Sequence, residues 1–205
     1  MIGHLLHFEE YRGKVLRQVW LSHEGLKTTF FRLSQKSSTP PPPLLATCDI
    51  TYDHPKKNPE DSPFIREWQL VTDRSAIAKP WKRLQASCYF ATFLRLNASH
   101  FPDPADVFEY TETVLDAFHM HPHFSAVLLK GITRLLRAEG FPVIEAWLPR
   151  QPQLILDSMT TLLRHAIAEP QIAELDDKLL SSCWHSLRSW IEHDTDFLLP
   201  SGTAI

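Results

Sequence analysis

The sequence has no pair of cysteines at C-x-x-C spacing. Its three cysteines, Cys48, Cys88 and Cys183, are odd in number and far apart in 205 residues. That excludes a disulfide framework and a zinc finger, and scattered thiols suit a reducing cytoplasm. No apolar run approaches the roughly 20 residues that a membrane helix needs. Glu9 and Glu10 fall close to the start, with no cleavable apolar core, so no signal peptide is expected. Positive charge is not in excess either: 21 Lys and Arg face 24 Asp and Glu, a net of -3. This argues against a simple polybasic nucleic-acid binder. The motifs G-x-S-x-G, G-x-G-x-x-G and H-E-x-x-H and the P-loop are all missing. What remains is 43% hydrophobic and 22% charged, an ordinary globular composition with enough length for a buried core.

Composition changes near residue 78. Residues 1–77 hold ten Lys and Arg against nine Asp and Glu, and residues 78–205 hold eleven against fifteen. The acidity therefore sits in the second part. The first part reads as five short strands. Leu5–Phe8 opens, with a turn at Tyr11-Arg12-Gly13. Val15–Leu21 follows and ends in the turn Ser22-His23-Glu24-Gly25, where Gly25 is free to take positive φ. Leu26–Leu33 is rich in Thr and Phe, which suits a pleated surface. Pro40 to Pro43 cannot pair as a central strand and reads as an extended connector. Leu44–Tyr52 alternates, with Leu45, Thr47, Asp49 and Thr51 expected outside and Ala46, Cys48, Ile50 and Tyr52 inside. His54–Pro63 is a loop, and Ile65–Val71 is the last strand. Five strands in this length fit a closed barrel of oligonucleotide-binding (OB) type, and an SH3-like barrel would give a similar pattern.

The remainder is helical. Pro80 stands at a helix start, and Trp81, Leu84, Cys88 and Tyr89 recur at helical steps. Asp103 is placed to cap a helix that begins at Pro104, with an apolar face of Val107, Tyr110, Val114 and Phe118. Phe124–Ala138 follows, with Gly140 placed as its C-cap. Helical patterns then cover Leu154–Ala168 and Ile172–Ile191, and the tail from Asp194 shows no clear element. The expected architecture is α+β: a five-stranded OB-type barrel over residues 1–77, then an α-helical domain over 78–205.

The residues with chemical potential are few. His119, His121 and His123 could ligate a metal, but Pro122 breaks the helix there and no carboxylate or thiol stands beside them. An exposed helix end is the commoner explanation. Cys88 and Cys183 lie among apolar neighbours and read as small buried hydrophobes. The cationic residues of the barrel say more. Arg12, Lys14 and Arg17 flank the first turn, Lys27, Arg32 and Lys36 follow the third strand and its loop, and Lys56 and Lys57 sit on the long loop. OB-type barrels hold single strands with a positive groove and aromatic platforms. Trp20, Phe30, Phe31 and Trp68 are the candidate platforms; the alternative is that they fill the barrel.

The order of these segments carries a resemblance. His4-Leu5-Leu6-His7-Phe8-Glu9-Glu10-Tyr11, the strand ending Leu21-Ser22-His23-Glu24-Gly25, and Leu26-Lys27-Thr28-Thr29-Phe30-Phe31-Arg32 resemble the opening of the RecO recombination-mediator family. Leu44–Tyr52 and Glu67–Thr72 are similar to its later barrel strands. Trp81–Asn97 and Ile132–Pro142, with its Leu-rich helix ending in Gly140-Phe141, resemble its helical domain. The resemblance spans about residues 4–148. It implies a non-enzymatic DNA repair and recombination mediator that binds single- and double-stranded DNA, assists annealing, and helps a RecR-like protein load RecA. The expected setting is the bacterial cytoplasm, at the nucleoid, with no cofactor. Many members carry a four-cysteine zinc module after the Gly-Phe segment. Here the only cysteine after Pro142 is Cys183, so no metal is carried over.

In this reading Arg12, Lys14, Arg17, Lys27, Arg32, Lys36, Lys56 and Lys57 neutralise phosphates. A partner peptide, such as the C-terminal tail of a single-stranded-DNA-binding protein, would dock between helices against a basic rim. Lys130, Arg134 and Arg137 recur at helical spacing and are the candidate rim. The alternative from another class is a protein-interaction scaffold whose OB-type barrel has lost DNA binding.

Overall fold

A computed structural model describes residues 1–33, 40–53 and 62–202. Five strands come first: β1 (Ile2–Arg12), β2 (Val15–Ser22), β3 (Gly25–Arg32), β4 (Thr47–Asp53) and β5 (Phe64–Thr72). They close into a barrel in the order β1-β2-β3-β5-β4, with β4 pairing back onto β1. All pairings are antiparallel except β3 with β5, which is parallel. This is the five-stranded Greek-key barrel of OB type. Six α-helices follow: α1 (Trp81–Asn97), α2 (Pro104–Met120), α3 (Phe124–Ala138), α4 (Gln153–Arg164), α5 (Pro170–Ala173) and α6 (Asp177–Asp194). The α+β layout expected from the sequence is the one observed. Among the described residues no helix is long and apolar enough to cross a membrane.

The turn chemistry follows the local sequence. β2 and β3 are joined through His23 and Glu24, and Gly25 takes φ 101°, where a Cβ would be strained. Asp103 caps α2, its Oδ1 accepting from the backbone N–H of Ala105 at 2.9 Å and Asp106 at 3.4 Å. Gly140, at φ 82°, ends α3 in a Schellman pattern: its N–H reaches Arg137 O, and Phe141 N–H reaches Leu136 O, both at 3.0 Å. The expected helix Ile172–Ile191 is interrupted. Asp176 caps a new start, accepting from Lys178 N–H at 3.1 Å, so α5 and α6 are separate.

The chain forms two compact units. One comprises Met1–Ser75 and Pro102–Thr113; the other comprises Ala76–Phe101 and Val114–Ile205. The first ten residues of α2 therefore group with the barrel, although the sequence places the boundary at 77/78. The barrel core holds Leu5, Trp20, Ala46, Cys48 and Ile50, flanked by Tyr52, Ile65 and Trp68. Burying each large side chain is worth roughly 1.5–3 kcal/mol. In the helical unit Phe90, Phe93, Leu115, Phe118, Leu128, Ile132, Trp147 and Trp184 are buried.

Leu45 and Thr47 depart from the expected alternation. Both are buried, whereas Asp49 and Thr51 are exposed. Leu45 precedes β4 and takes φ 65°, outside the strand's alternation, and Thr47 belongs to a polar cluster on that face of the barrel unit. Glu112, from α2, accepts from Arg74 Nη2 at 2.6 Å, from Thr47 Oγ1 at 3.1 Å and from Thr72 Oγ1 at 3.3 Å. Arg74 Nη1 also donates to Thr47 Oγ1 at 2.7 Å and to Leu45 O at 3.4 Å. His4 bonds Thr47 Oγ1 through Nδ1 at 3.0 Å, lies 3.3 Å from Glu112 through Nε2, and stacks on Phe108 at 4.2 Å. Burial pushes the Glu112 carboxyl up, but the Arg74 guanidinium, His4 and the hydroxyl donors outweigh it and hold the group below its ordinary value.

A carboxyl lowered on folding adds stability above its unfolded value and loses it as pH falls through its folded value. Glu112→Gln is therefore expected to flatten the acid limb of a stability-against-pH profile. Arg74→Ala, which leaves the carboxylate without its main partner, is expected to cost about 3 kcal/mol in urea unfolding. An unchanged acid limb in Glu112→Gln would show that the cluster carries no such linkage.

Candidate nucleic-acid interface

The outer face of the first three strands brings four of the candidate cations to one end of the barrel. Arg12 pairs across from Val15, and Val15 across from Arg32. Leu33 N–H bonds Lys14 O at 2.7 Å, which sets Lys14 beside the end of β3. One row deeper, Glu9, Arg17 and Phe30 stand opposite one another on β1, β2 and β3. The side chains at Arg12, Lys14, Arg17 and Arg32 are exposed.

Three aromatic rings run through this cluster. Phe30 lies opposite Phe64, the one pair that joins β3 to β5 among the described residues, and Phe30 N–H bonds Pro63 O at 2.8 Å. The Phe30 and Phe64 rings are 5.4 Å apart at 37°, and Tyr11 meets Phe30 at 4.9 Å and 40°. Both ends of the row carry a guanidinium. Arg12 Cζ lies 5.2 Å from the Tyr11 centroid, and Arg32 Cζ lies 4.4 Å from the Phe64 centroid. These are cation–π distances. Arg17 is tied to Glu9 at 3.1 Å. Arg12, Lys14 and Arg32 have no ion pair with any described residue.

The other candidates fall elsewhere. Lys27 stands at the opposite end of β3, across from Trp20. Its ammonium donates to the Tyr52 hydroxyl at 2.8 Å and to Glu24 at 3.4 Å. The Tyr52 bond raises its pKa against the lowering effect of burial, so this lysine is engaged inside the barrel unit. Lys36, Lys56 and Lys57 lie outside the described residues. Of the expected platforms, Trp20 and Phe31 are buried and belong to the barrel interior, the former donating from Nε1 to Thr29 Oγ1 at 3.0 Å. Trp68 packs against the core and donates to Pro40 O at 3.2 Å. Phe30 alone of the four joins the row. Tyr11 and Phe64, its other two members, are not among the platforms expected from the sequence. Tyr11 had a local signal, a Tyr-Arg pair at the tip of a hairpin. Phe64 had none, because its place depends on a parallel pairing between strands distant in sequence.

In the helical unit, Lys130 is 6% exposed and does not stand on a rim. Its ammonium donates to the carbonyls of Leu162, at 2.9 Å, and of His165, where α4 ends. Burial lowers its pKa, and Arg134 adds to this while Glu169 opposes it. Arg134 and Arg137 are exposed on α3. A groove of about 530 Å³ runs along α1, lined by Trp81, Leu84, Cys88, Tyr89 and Pro200 among others, and none of these three cations lines it. Among the described residues no group of three or more His, Cys, Asp or Glu could hold a metal ion. No family model matches the chain, and comparison with curated proteins finds no significant match.

The Lys130 geometry separates structural from surface roles. Lys130→Glu puts an acid against two carbonyls and is expected to cost about 3 kcal/mol or more. Arg134→Glu and Arg137→Glu are expected to stay within about 0.5 kcal/mol of the parent. Denaturant midpoints measure both; equal losses at all three positions would contradict the distinction.

Proposed function

We propose that this chain is a non-enzymatic DNA repair and recombination mediator of RecO type. Its barrel binds single- and double-stranded DNA. It works with a RecR-like protein and the C-terminal tail of a single-stranded-DNA-binding protein in annealing and RecA loading, in the bacterial cytoplasm. The observation that carries this reading is the set of cations Arg12, Lys14 and Arg32, without an ion pair among the described residues, gathered at one end of an OB-type barrel beside the rings of Tyr11, Phe30 and Phe64. Local positive charge of this kind is what phosphate contact requires, whatever the net charge of the chain. The resemblance of the segment order to RecO supplies the mediator role and the partners.

Phosphate neutralisation releases condensed counterions, so affinity falls with salt at a rate set by the number of contacts. For three contacts on a single strand, log K against log salt should have a slope of about -2. The Arg12→Glu, Arg32→Glu double variant should lose most of that slope. A barrel that binds no oligonucleotide at low salt would contradict the DNA role and favour the scaffold reading.

A further inference from the structure

The polar cluster around Glu112 holds a histidine at its centre. His4, on β1, is fully buried. Its ring lies almost flat against Phe108 of α2, with centroids 4.2 Å apart at 15°. Nε2 faces two acceptors on α2, Phe108 O and Glu112 Oε2, each at 3.3 Å, and so carries a hydrogen. Nδ1 faces Thr47 Oγ1 at 3.0 Å. That hydroxyl accepts from Arg74 Nη1 at 2.7 Å and has one hydrogen to give. Two acceptors compete for it: Glu112 Oε2, at 3.1 Å, and the lone pair of an uncharged His4 Nδ1.

We propose that His4 is a proton-operated latch that fastens the first half of α2 to the barrel strands, tight when the imidazole is charged and looser when it is neutral. In the charged form both ring nitrogens donate, Nδ1–H to Thr47 and Nε2–H to Phe108 O and Glu112. The Thr47 hydrogen then turns to Glu112, which gains a hydroxyl donor and an ion pair. In the neutral form the Nδ1 lone pair takes the Thr47 hydrogen, and Glu112 Oε2 loses it. Burial and the Arg74 guanidinium oppose the second positive charge, and the Glu112 carboxylate favours it. The β2–β3 turn brings a second imidazole to the segment. His23 lies 3.9 Å from the Phe108 ring and faces Glu109 at 3.0 Å, but its side chain is 49% exposed, so water screens that pair. Histidine changes charge between about pH 5 and 8. The latch is tight on the acid side of the His4 transition and loosens as pH rises through it. It fails again in acid only where Glu112 takes a proton, and the lowered value of that carboxyl moves this further down. The latch does not depend on what the barrel binds.

The test uses the full chain, labelled with nitrogen-15, and two readouts by NMR. One is the pair of imidazole nitrogen shifts of His4. The other is amide hydrogen exchange at residues 107–113, corrected for the intrinsic effect of pH on exchange. From about pH 5.5 to about pH 8.5 the His4 ring should pass from two protonated nitrogens to a hydrogen on Nε2 alone. Over that range protection at 107–113 should fall roughly 10-fold, the weight of one hydrogen bond to a charged group. Amides of β2 and β3 should keep their protection, which shows that the barrel stays folded. His4→Gln should abolish the pH dependence at 107–113, and His23→Gln should retain it. A His4 ring that keeps one protonation state throughout, or protection at 107–113 that does not change with pH, overturns the latch. So does a pH dependence that survives His4→Gln or is lost in His23→Gln. The imidazole shifts of the parent protein need no variant, so they decide the matter even if His4→Gln does not fold.

Discussion

One parallel bridge closes the barrel. β1 to β2 to β3 is a simple antiparallel run, and β4 pairs with both β1 and β5. Among the described residues the circle is completed where Phe30 meets Phe64. Without that contact β3 and β5 would be open edges, which invite pairing with other chains. The same contact has a consequence on the outside. It brings residues that are 34 positions apart in sequence into one aromatic row, and it sets Arg32 over Phe64. The closure that stabilises the fold and the surface that we assign to DNA are therefore the same piece of structure.

A second constraint holds the other face of the barrel unit. Arg74 is buried and would be costly alone; Glu112, from the middle of α2, neutralises it. Thr47, Thr72 and His4 satisfy the remaining lone pairs and donors. Buried charge of this kind specifies geometry more than it adds stability. It explains why twelve residues from the helical half of the sequence, Pro102–Thr113, group with the strands, and why Thr47 is buried on a face that alternation assigns to solvent.

Much of the fold was legible in local pattern. The turn at Gly25, the cap at Asp103 and the stop at Gly140 each follow from one residue's chemistry, and each strand is marked by its flanking turns. The rest was hidden for different reasons. The break between α5 and α6 falls inside a continuous helical pattern and depends on a cap at Asp176. Lys130 has the spacing of a surface cation, but its nearest acceptors are carbonyls 32 and 35 residues away. Trp20, Phe30 and Phe31 look alike in the sequence because the barrel's inside cannot be told from its outside when both faces of a strand are apolar. Phe64 was invisible as a site residue because non-local parallel pairing leaves no mark in either segment alone.

The cations and rings at one barrel end are the basis of the proposed DNA binding by a chain whose net charge is -3. The central claim is one of location, and photo-crosslinking tests it most directly. A single strand carrying 5-iodo-deoxyuridine, irradiated with the full chain and digested, reports which residues lie against its bases. The account predicts crosslinks at Tyr11, Phe30 and Phe64. Crosslinks confined to the helical unit, residues 76–101 and 114–202, would contradict it.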